Sequence, residues 1–245
     1  MRNIRLTLEY EGTCYAGWQA QPGLPTIQGA LAAAVKAVTG TDVKIIGASR
    51  TDAGVHAFAQ TANFKTESSI PIQSVINALN SKLPPDIVVK GAEEAPLNFD
   101  SRRDSTGKTY IYKILNRQCP SALLRRFSWF VPQRLDAEKM REASGYFIGR
   151  KDFSSFKAAD SDAVHSIREV KSIEILENPD GIMEITVNGT AFLRHMIRIM
   201  AGTLVAVGKG KLKPEDISCI IGERDRTKAY ATAPADGLIL MKVEY

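Results

Sequence analysis

Apolar and polar residues alternate at the start of the chain: Ile4, Leu6, Leu8 and Tyr10 share one side of residues 4–10 and predict a half-buried strand. A Gly/Pro-rich loop runs from about Glu11 to Pro25, and Thr26 then reads as the N-cap of an Ala-rich helix ending at Gly40. Strands are predicted at residues 43–48 and 56–64. A helix begins near Pro71 and stops before Pro84-Pro85, and residues 87–91 form the next strand. Beyond these the pattern gives strands near 109–116 and 128–131, then a helix from an Asp136 cap to about Phe147. Strands near 167–176 and 183–188 precede a longer helix, capped by Thr190 and ending at Gly208, on which Leu193, Met196, Ile197, Met200 and Leu204 make an apolar stripe. A short helix after Pro214 and a strand at 238–245 complete the list. Both halves mix strands with crossing helices and no repeat is visible, which predicts an α+β chain of two similar lobes, residues 1–104 and 105–245.

Composition adds one thing to this picture. Of 245 residues, 44% are hydrophobic and 24% charged, as in ordinary globular proteins, and no apolar run approaches a membrane span. Cys14, Cys119 and Cys219 are scattered without CxxC, and His56, His165 and His195 without HxxxH, so neither a disulfide framework nor a metal site is expected. A cytoplasmic, metal-free protein is the expectation. The net charge of +5, however, is local: residues 101–134 carry eight basic side chains (among them Arg102, Arg103, Arg125, Arg126 and Arg134) against Asp104 alone. Tyr110, Tyr112, Phe127, Trp129 and Phe130 lie in the same stretch, and cations among aromatics suit phosphates and unstacked bases.

The candidate chemistry centres on residues 47–60, which read Gly-Ala-Ser-Arg-Thr-Asp-Ala-Gly-Val-His-Ala-Phe-Ala-Gln. Small residues after Asp52 let the backbone turn sharply and leave its carboxylate approachable, and Arg50 two residues before it favours the ionised form. An isolated Asp-x-Gly is more plainly a turn in which the acid caps backbone amides. Arg194 and Arg198, four apart on the long helix, are expected to share a face and to invite an anion. Tyr110 and Tyr112 lie on one side of their strand, offering a flat face for a base or ordinary cross-strand packing. Trp18 either plugs the core or lines a cleft, and His56 is expected to be a structural hydrogen-bonder. No GxSxG elbow, no GxxxxGK[ST] loop and no second acid placed for glycosidase chemistry are present.

These motifs together resemble the tRNA pseudouridine synthase A family. They are Tyr10-Glu11-Gly12-Thr13 with Gly17-Trp18-Gln19, Thr26-Ile27-Gln28-Gly29, Arg50-Thr51-Asp52-Ala53-Gly54-Val55-His56-Ala57, and Lys108-Thr109-Tyr110 with Asp152-Phe153. Phe192-Leu193-Arg194-His195-Met196-Ile197-Arg198 and Thr232-Ala233-Pro234-Ala235 with Gly237-Leu238 complete the set. Two departures are seen: Glu11 stands where an aspartate is usual, and Ala-Val-His at 163–165 where Gln-Ser is frequent.

The resemblance implies two α+β lobes of mainly antiparallel mixed sheets, with helices on one side and a basic cleft between the lobes. It also implies conversion of uridine to pseudouridine at positions 38, 39 and 40 in the anticodon arm of tRNA, by a homodimer without metal or organic cofactor. Under it, Asp52 is the catalytic aspartate, Tyr110 stacks on the target uracil, Arg198 pairs with the aspartate, Arg50 helps extrude the base and Leu238 joins the substrate-binding set. Asp52 would attack C1′, attack the base, or remove a ribose proton; the residues do not choose among these. Two readings compete with it: an RNA-binding module without catalysis, which leaves an acid in a basic site unexplained, and an aspartate-dependent nucleoside hydrolase, which would release free uracil.

Overall fold

The computed structural model describes residues 1–161 and 163–245 as an α+β fold, with ten strands and five α-helices among the described residues. The chain forms two compact units, Met1–Thr106 with Ile239–Tyr245, and Gly107–Leu238. The sequence expectation keeps residues 105–245 together, whereas the structure returns Ile239–Tyr245 to the first unit. The cause is a long-range pairing without local signal. The last strand, β10 (Leu238–Glu244), runs parallel to β3 (His56–Thr66), with Ile239 opposite His56 and Leu240 opposite Ala57.

In the first unit the strand order is β4-β1-β3-β10, where β1 is Arg2–Tyr10 and β4 is Ile87–Ala95, both antiparallel to their neighbours on this side. The alternation of β1 does what it predicts: Ile4, Leu6, Leu8 and Tyr10 are all buried. Helix α1 (Ile27–Thr39) starts where the Thr26 hydroxyl accepts from the Gly29 amide at 3.2 Å and stops at Gly40, whose φ of 76° suits a residue without Cβ. It buries Ile27, Leu31, Ala34 and Val35, one helical face. Helix α2 (Ile72–Asn80) is pinned to β4 by Asn80, whose amide side chain bonds both the N–H and the C=O of Val89. The strand expected at 43–48 shrinks to β2 (Ile46–Gly47). Gln28 Nε2 donates to the Ile45 carbonyl at 2.9 Å and so replaces the ladder there.

In the second unit the order is β5-β9-β8-β7, all antiparallel, with β5 at Gly107–Leu115, β7 at Gly149–Asp152, β8 at Ile167–Glu177 and β9 at Ile182–Gly189. A short β6 (Trp129–Phe130) runs parallel to β5. Strand β7 has no apolar alternation and exists because it pairs with β8 at the edge. Helix α3 (Ala137–Gly145) takes its N-cap from Asp136, as expected, and α5 (Asp216–Glu223) follows Pro214.

The long helix departs most from expectation. It is α4 (Met196–Gly208), not a helix from Thr190. The backbone of residues 190–194 is committed elsewhere: the Thr190 amide bonds the Glu169 carbonyl, and the Arg194 carbonyl accepts from Ala158. His195 then sits at φ 64°, a left-handed conformation that no helix continues through. Nor is α4 amphipathic. Every residue from Ile199 to Gly208 is buried, so it is the core of its unit. Gly202 lets a second stretch of main chain lie against it, since a Cβ there would stand 2.0 Å from the Ala231 carbonyl oxygen.

Gly202→Ala is expected to lower unfolding free energy by about 1–3 kcal/mol through overpacking, outweighing the roughly 1 kcal/mol of helix propensity gained. Gly222→Ala in α5, where nothing lies within 4 Å, is expected to stabilise by a fraction of that propensity. Urea titration of both variants checks the pair, and equal effects would remove the backbone contact as the cause.

Candidate active site

Asp52 sits on a turn held from three sides. After β2 the Ala48 amide makes a last bond to the Thr61 carbonyl of β3, and the buried Gln60 side chain clamps Ser49, accepting from its N–H at 3.2 Å and donating to its C=O at 2.7 Å. Thr51 is buried, with its hydroxyl 2.8 Å from that of Tyr10. The Val55 amide bonds the Asp52 carbonyl at 3.1 Å and closes the turn, with Gly54 at φ 80°.

The third constraint is the loop before α1. Trp18 N–H donates to the Thr51 carbonyl, and Gly54 N–H to the Tyr15 carbonyl. A Cβ on Gly17 (φ 95°) would stand 2.6 Å from Thr51 O, and one on Gly12 would stand 2.0 Å from Val55 O. Main chain packs on main chain here, which only glycine allows. The loop is itself anchored: Tyr15 donates to Asp86 Oδ1 at 2.6 Å, and burial together with that carboxylate pushes its phenol well above the ordinary range. The outcome is a half-buried Asp52 between exposed Arg50 and Ala53 on a backbone with little freedom.

Two neighbours resolve as packing. Trp18 is 1% exposed and lies against Gly47, so it plugs the core. His56 is buried and accepts from the Gly12 amide at Nδ1 (3.0 Å), which puts the proton of the neutral ring on Nε2 and makes His56 part of the same support.

In the second unit, Tyr110 is on β5 opposite Val187 and meets Phe192 edge to face, centroids 5.5 Å apart at 88°. Gly189 makes room for this, since a Cβ there would touch the Phe192 ring at 2.9 Å. Tyr112, on the same side, is fully buried and donates to the Pro234 carbonyl at 2.8 Å. Burial pushes its phenol far above the ordinary value, the Arg198 charge opposing only in part. Gly237 packs against the Tyr112 ring, and Leu238, buried, follows at once.

Arg198, in the first turn of α4, is half-buried and donates through Nε to the Ala233 carbonyl at 2.9 Å, while the Ala233 amide returns a bond to the Arg198 carbonyl at 3.1 Å. Arg198 and Tyr112 therefore hold the segment leading to Leu238. Arg194 does not share a helix face with Arg198: it precedes the helix and pairs with Asp160 at 2.6 Å on the surface. Thus Arg50 and Asp52 belong to the first unit, and Tyr110, Arg198 and Leu238 to the second. Phe192 and Gln60 are not singled out by sequence reasoning. No signal marks Gln60, since β3 also buries the polar His56, Thr61, Asn63 and Thr66.

The basic stretch is not one strip. Arg102 and Arg103 lie in the first unit and the remainder in the second. Lys108 is 8% exposed, Lys113 pairs with Glu184 at 3.0 Å, and Arg103 with Asp104 at 3.0 Å. Arg117, Arg125, Arg126 and Arg134 remain exposed and Tyr110 and Tyr112 are buried, while Phe127, Trp129 and Phe130 are half-buried, so cations and aromatics share a surface only over residues 125–134. Among the described residues no cluster of three or more His, Cys, Asp or Glu suits a metal ion, and no helix is long and apolar enough to cross a membrane.

Comparison with known proteins agrees with the motifs. A family model described as tRNA pseudouridine synthase matches residues 7–104 and 143–245. The chain is 51% identical to tRNA pseudouridine synthase A of Caldicellulosiruptor bescii over the whole of both chains. It is 48% identical to tRNA pseudouridine synthase A 2 of Clostridium tetani, over 100% of this chain and 99% of that one. The supported aspartate turn thus occurs in a chain that belongs to the tRNA pseudouridine synthase family.

Proposed function

We propose that the chain isomerises uridine to pseudouridine in tRNA, at positions 38, 39 and 40 of the anticodon arm, with Asp52 as the catalytic carboxylate. The observation that carries the reading is the turn itself: an acid held half-open by backbone contacts that tolerate no side chain, in a member of this family. In the reaction the C1′–N1 bond breaks, the uracil turns and C1′ bonds to C5. The proton lost from C5 is balanced by one gained at N1. Atoms and electrons are conserved, so a single carboxylate that starts the bond cleavage suffices.

A preset turn serves this chemistry because the carboxylate need not be reorganised when the nucleotide arrives. The detached base has to be kept from water and from diffusing away. Tyr110, braced edge-on by Phe192, is the wall we assign to it, and Leu238 an apolar contact. Arg198 is held by its Ala233 bond as the cation for the carboxylate, and exposed Arg50 for extruding the base, a step that costs a few kcal/mol of unstacking. The exposed arginines at 117–134 supply phosphate contacts that offset this cost. The working state is a cytoplasmic homodimer bound to tRNA, which sedimentation with and without tRNA tests.

Asp52→Asn is expected to bind unmodified tRNA within about threefold of the wild type and to lose at least ~10³-fold in pseudouridine formation. Appreciable turnover by the variant would remove Asp52 from its role, and release of free uracil by the wild type would assign the chain to a hydrolase. Gly17→Ala is expected to reduce kcat by about 10²-fold, because it displaces the turn by a fraction of an ångström to an ångström. Single-turnover assays against circular dichroism separate that loss from misfolding. Affinity for tRNA is expected to fall linearly in log K against log salt with a slope of several units, and a flat response would exclude a phosphate-dominated interface.

A further inference from the structure

At the β7 edge of the second unit's sheet lies a cavity of about 570 Å³ that none of the roles above uses. It is lined by Arg150, His165, Arg168, Glu169, Thr190 and Ala191, with Ile167 beside them. Arg150 and Glu169 are direct partners in the β7–β8 ladder and so project on one face. Neither side chain has an ion-pair partner among the described residues, and the Thr190 hydroxyl makes no bond there. Arg168 curls over the rim: its Nη1 donates to the carbonyls of His165 (3.1 Å) and Ile167 (2.7 Å) and contacts His165 Nδ1 at 3.2 Å. Arg168 Nε is buried without a partner among the described residues, a donor that protein structures rarely leave unused.

The lining therefore offers two guanidinium groups, one of them partly bonded to main-chain carbonyls, an imidazole and a hydroxyl against one carboxylate. It has no aromatic face on which a base would stack, so its chemistry suits a phosphodiester and not a nucleobase. Its placement points the same way. The Thr190 and Ala191 that wall it are followed directly by Phe192, which packs on Tyr110, so the cavity and the proposed base wall are built from one bend of the chain after β9. Gly189 makes that bend possible, with room for no Cβ between the Glu169 carbonyl and the Phe192 ring.

We infer that this cavity takes a backbone phosphate of the substrate RNA, a short distance along the strand from the nucleotide that faces Tyr110. The inference rests on the tRNA-modifying reading above and names a contact for it. Arg150 is the principal ligand, Thr190 and the Arg168–His165 pair complete the cradle, and Glu169 opposes binding.

The test measures tRNA affinity across a salt series for wild type, Arg150→Gln, Glu169→Gln and, as a matched loss of exposed charge in the first unit, Lys82→Gln. Arg150→Gln is expected to weaken binding about tenfold near 0.1 M salt, to reduce the log–log slope by about one, and to raise KM more than it lowers kcat. Glu169→Gln is expected to tighten binding, and Lys82→Gln to do neither. Opposite effects from neighbouring residues on two paired strands are not what a stability defect produces. An unchanged slope in Arg150→Gln, or the same reduction in Lys82→Gln, overturns the proposal. Inorganic phosphate at matched ionic strength, if it binds wild type but not Arg150→Gln while tRNA affinity stays equal, reassigns the cavity to a free anion and also overturns it. Pseudouridine formation by the wild type is scored in parallel: its absence sinks the functional reading, and its presence with an unchanged slope sinks the cavity alone.

Discussion

Two stretches of bare main chain meet where Gly12 and Gly17 lie against residues 51–55, and the position of Asp52 follows from that contact. A side-chain contact would leave rotamers to be chosen. A contact between backbones leaves none, and the bonds from Trp18 to Thr51 and from Gly54 to Tyr15 set its register. Around it the supports are redundant: Gln60 on Ser49, Tyr10 on Thr51, His56 on Gly12, Tyr15 on Asp86. Each is worth only about 1 kcal/mol net. Together they make displacement of the turn a loss of several bonds at once, which is how a half-buried acid acquires the rigidity of a core position.

The second unit solves the same problem with side chains. Its central helix is buried all round, so it cannot slide without opening a cavity. Arg198 is the half-buried exception within it, and its reciprocal pairing with Ala233, together with Tyr112 on Pro234, ties a strand-less segment to that helix. The guanidinium is thereby aimed by main-chain atoms, with Nε consumed in the aiming. Tyr110 is set by another route, wedged against Phe192 at right angles.

What was legible in the sequence was local. Thr26 and Asp136 announce their helices because a cap is read within three residues, and the alternation of β1 is visible because one face is buried. The Asp52 turn is legible from its small residues and, through motif resemblance, from its company. Strand β7 is invisible because an edge strand takes its conformation from β8 and not from its own pattern. The start of α4 is misjudged because an apolar stripe continues through Leu193 although the backbone of 190–194 is bonded elsewhere and His195 is left-handed. Charge counts place an excess on residues 101–134, but only three dimensions show that Lys108 is buried, Lys113 neutralised and the two tyrosines turned inward.

The return of β10 to the first unit sets the order of events during synthesis. Residues 1–106 leave the ribosome well before residues 239–245 are made, so the His56–Ala57 end of β3, beyond the part that β2 covers, stays unpaired while 132 intervening residues emerge and collapse. A chain cut short in the second unit would leave that stretch of β3 unpaired, a template for pairing with another chain. The strand that closes this part of the first unit is therefore made only after the whole of the second unit.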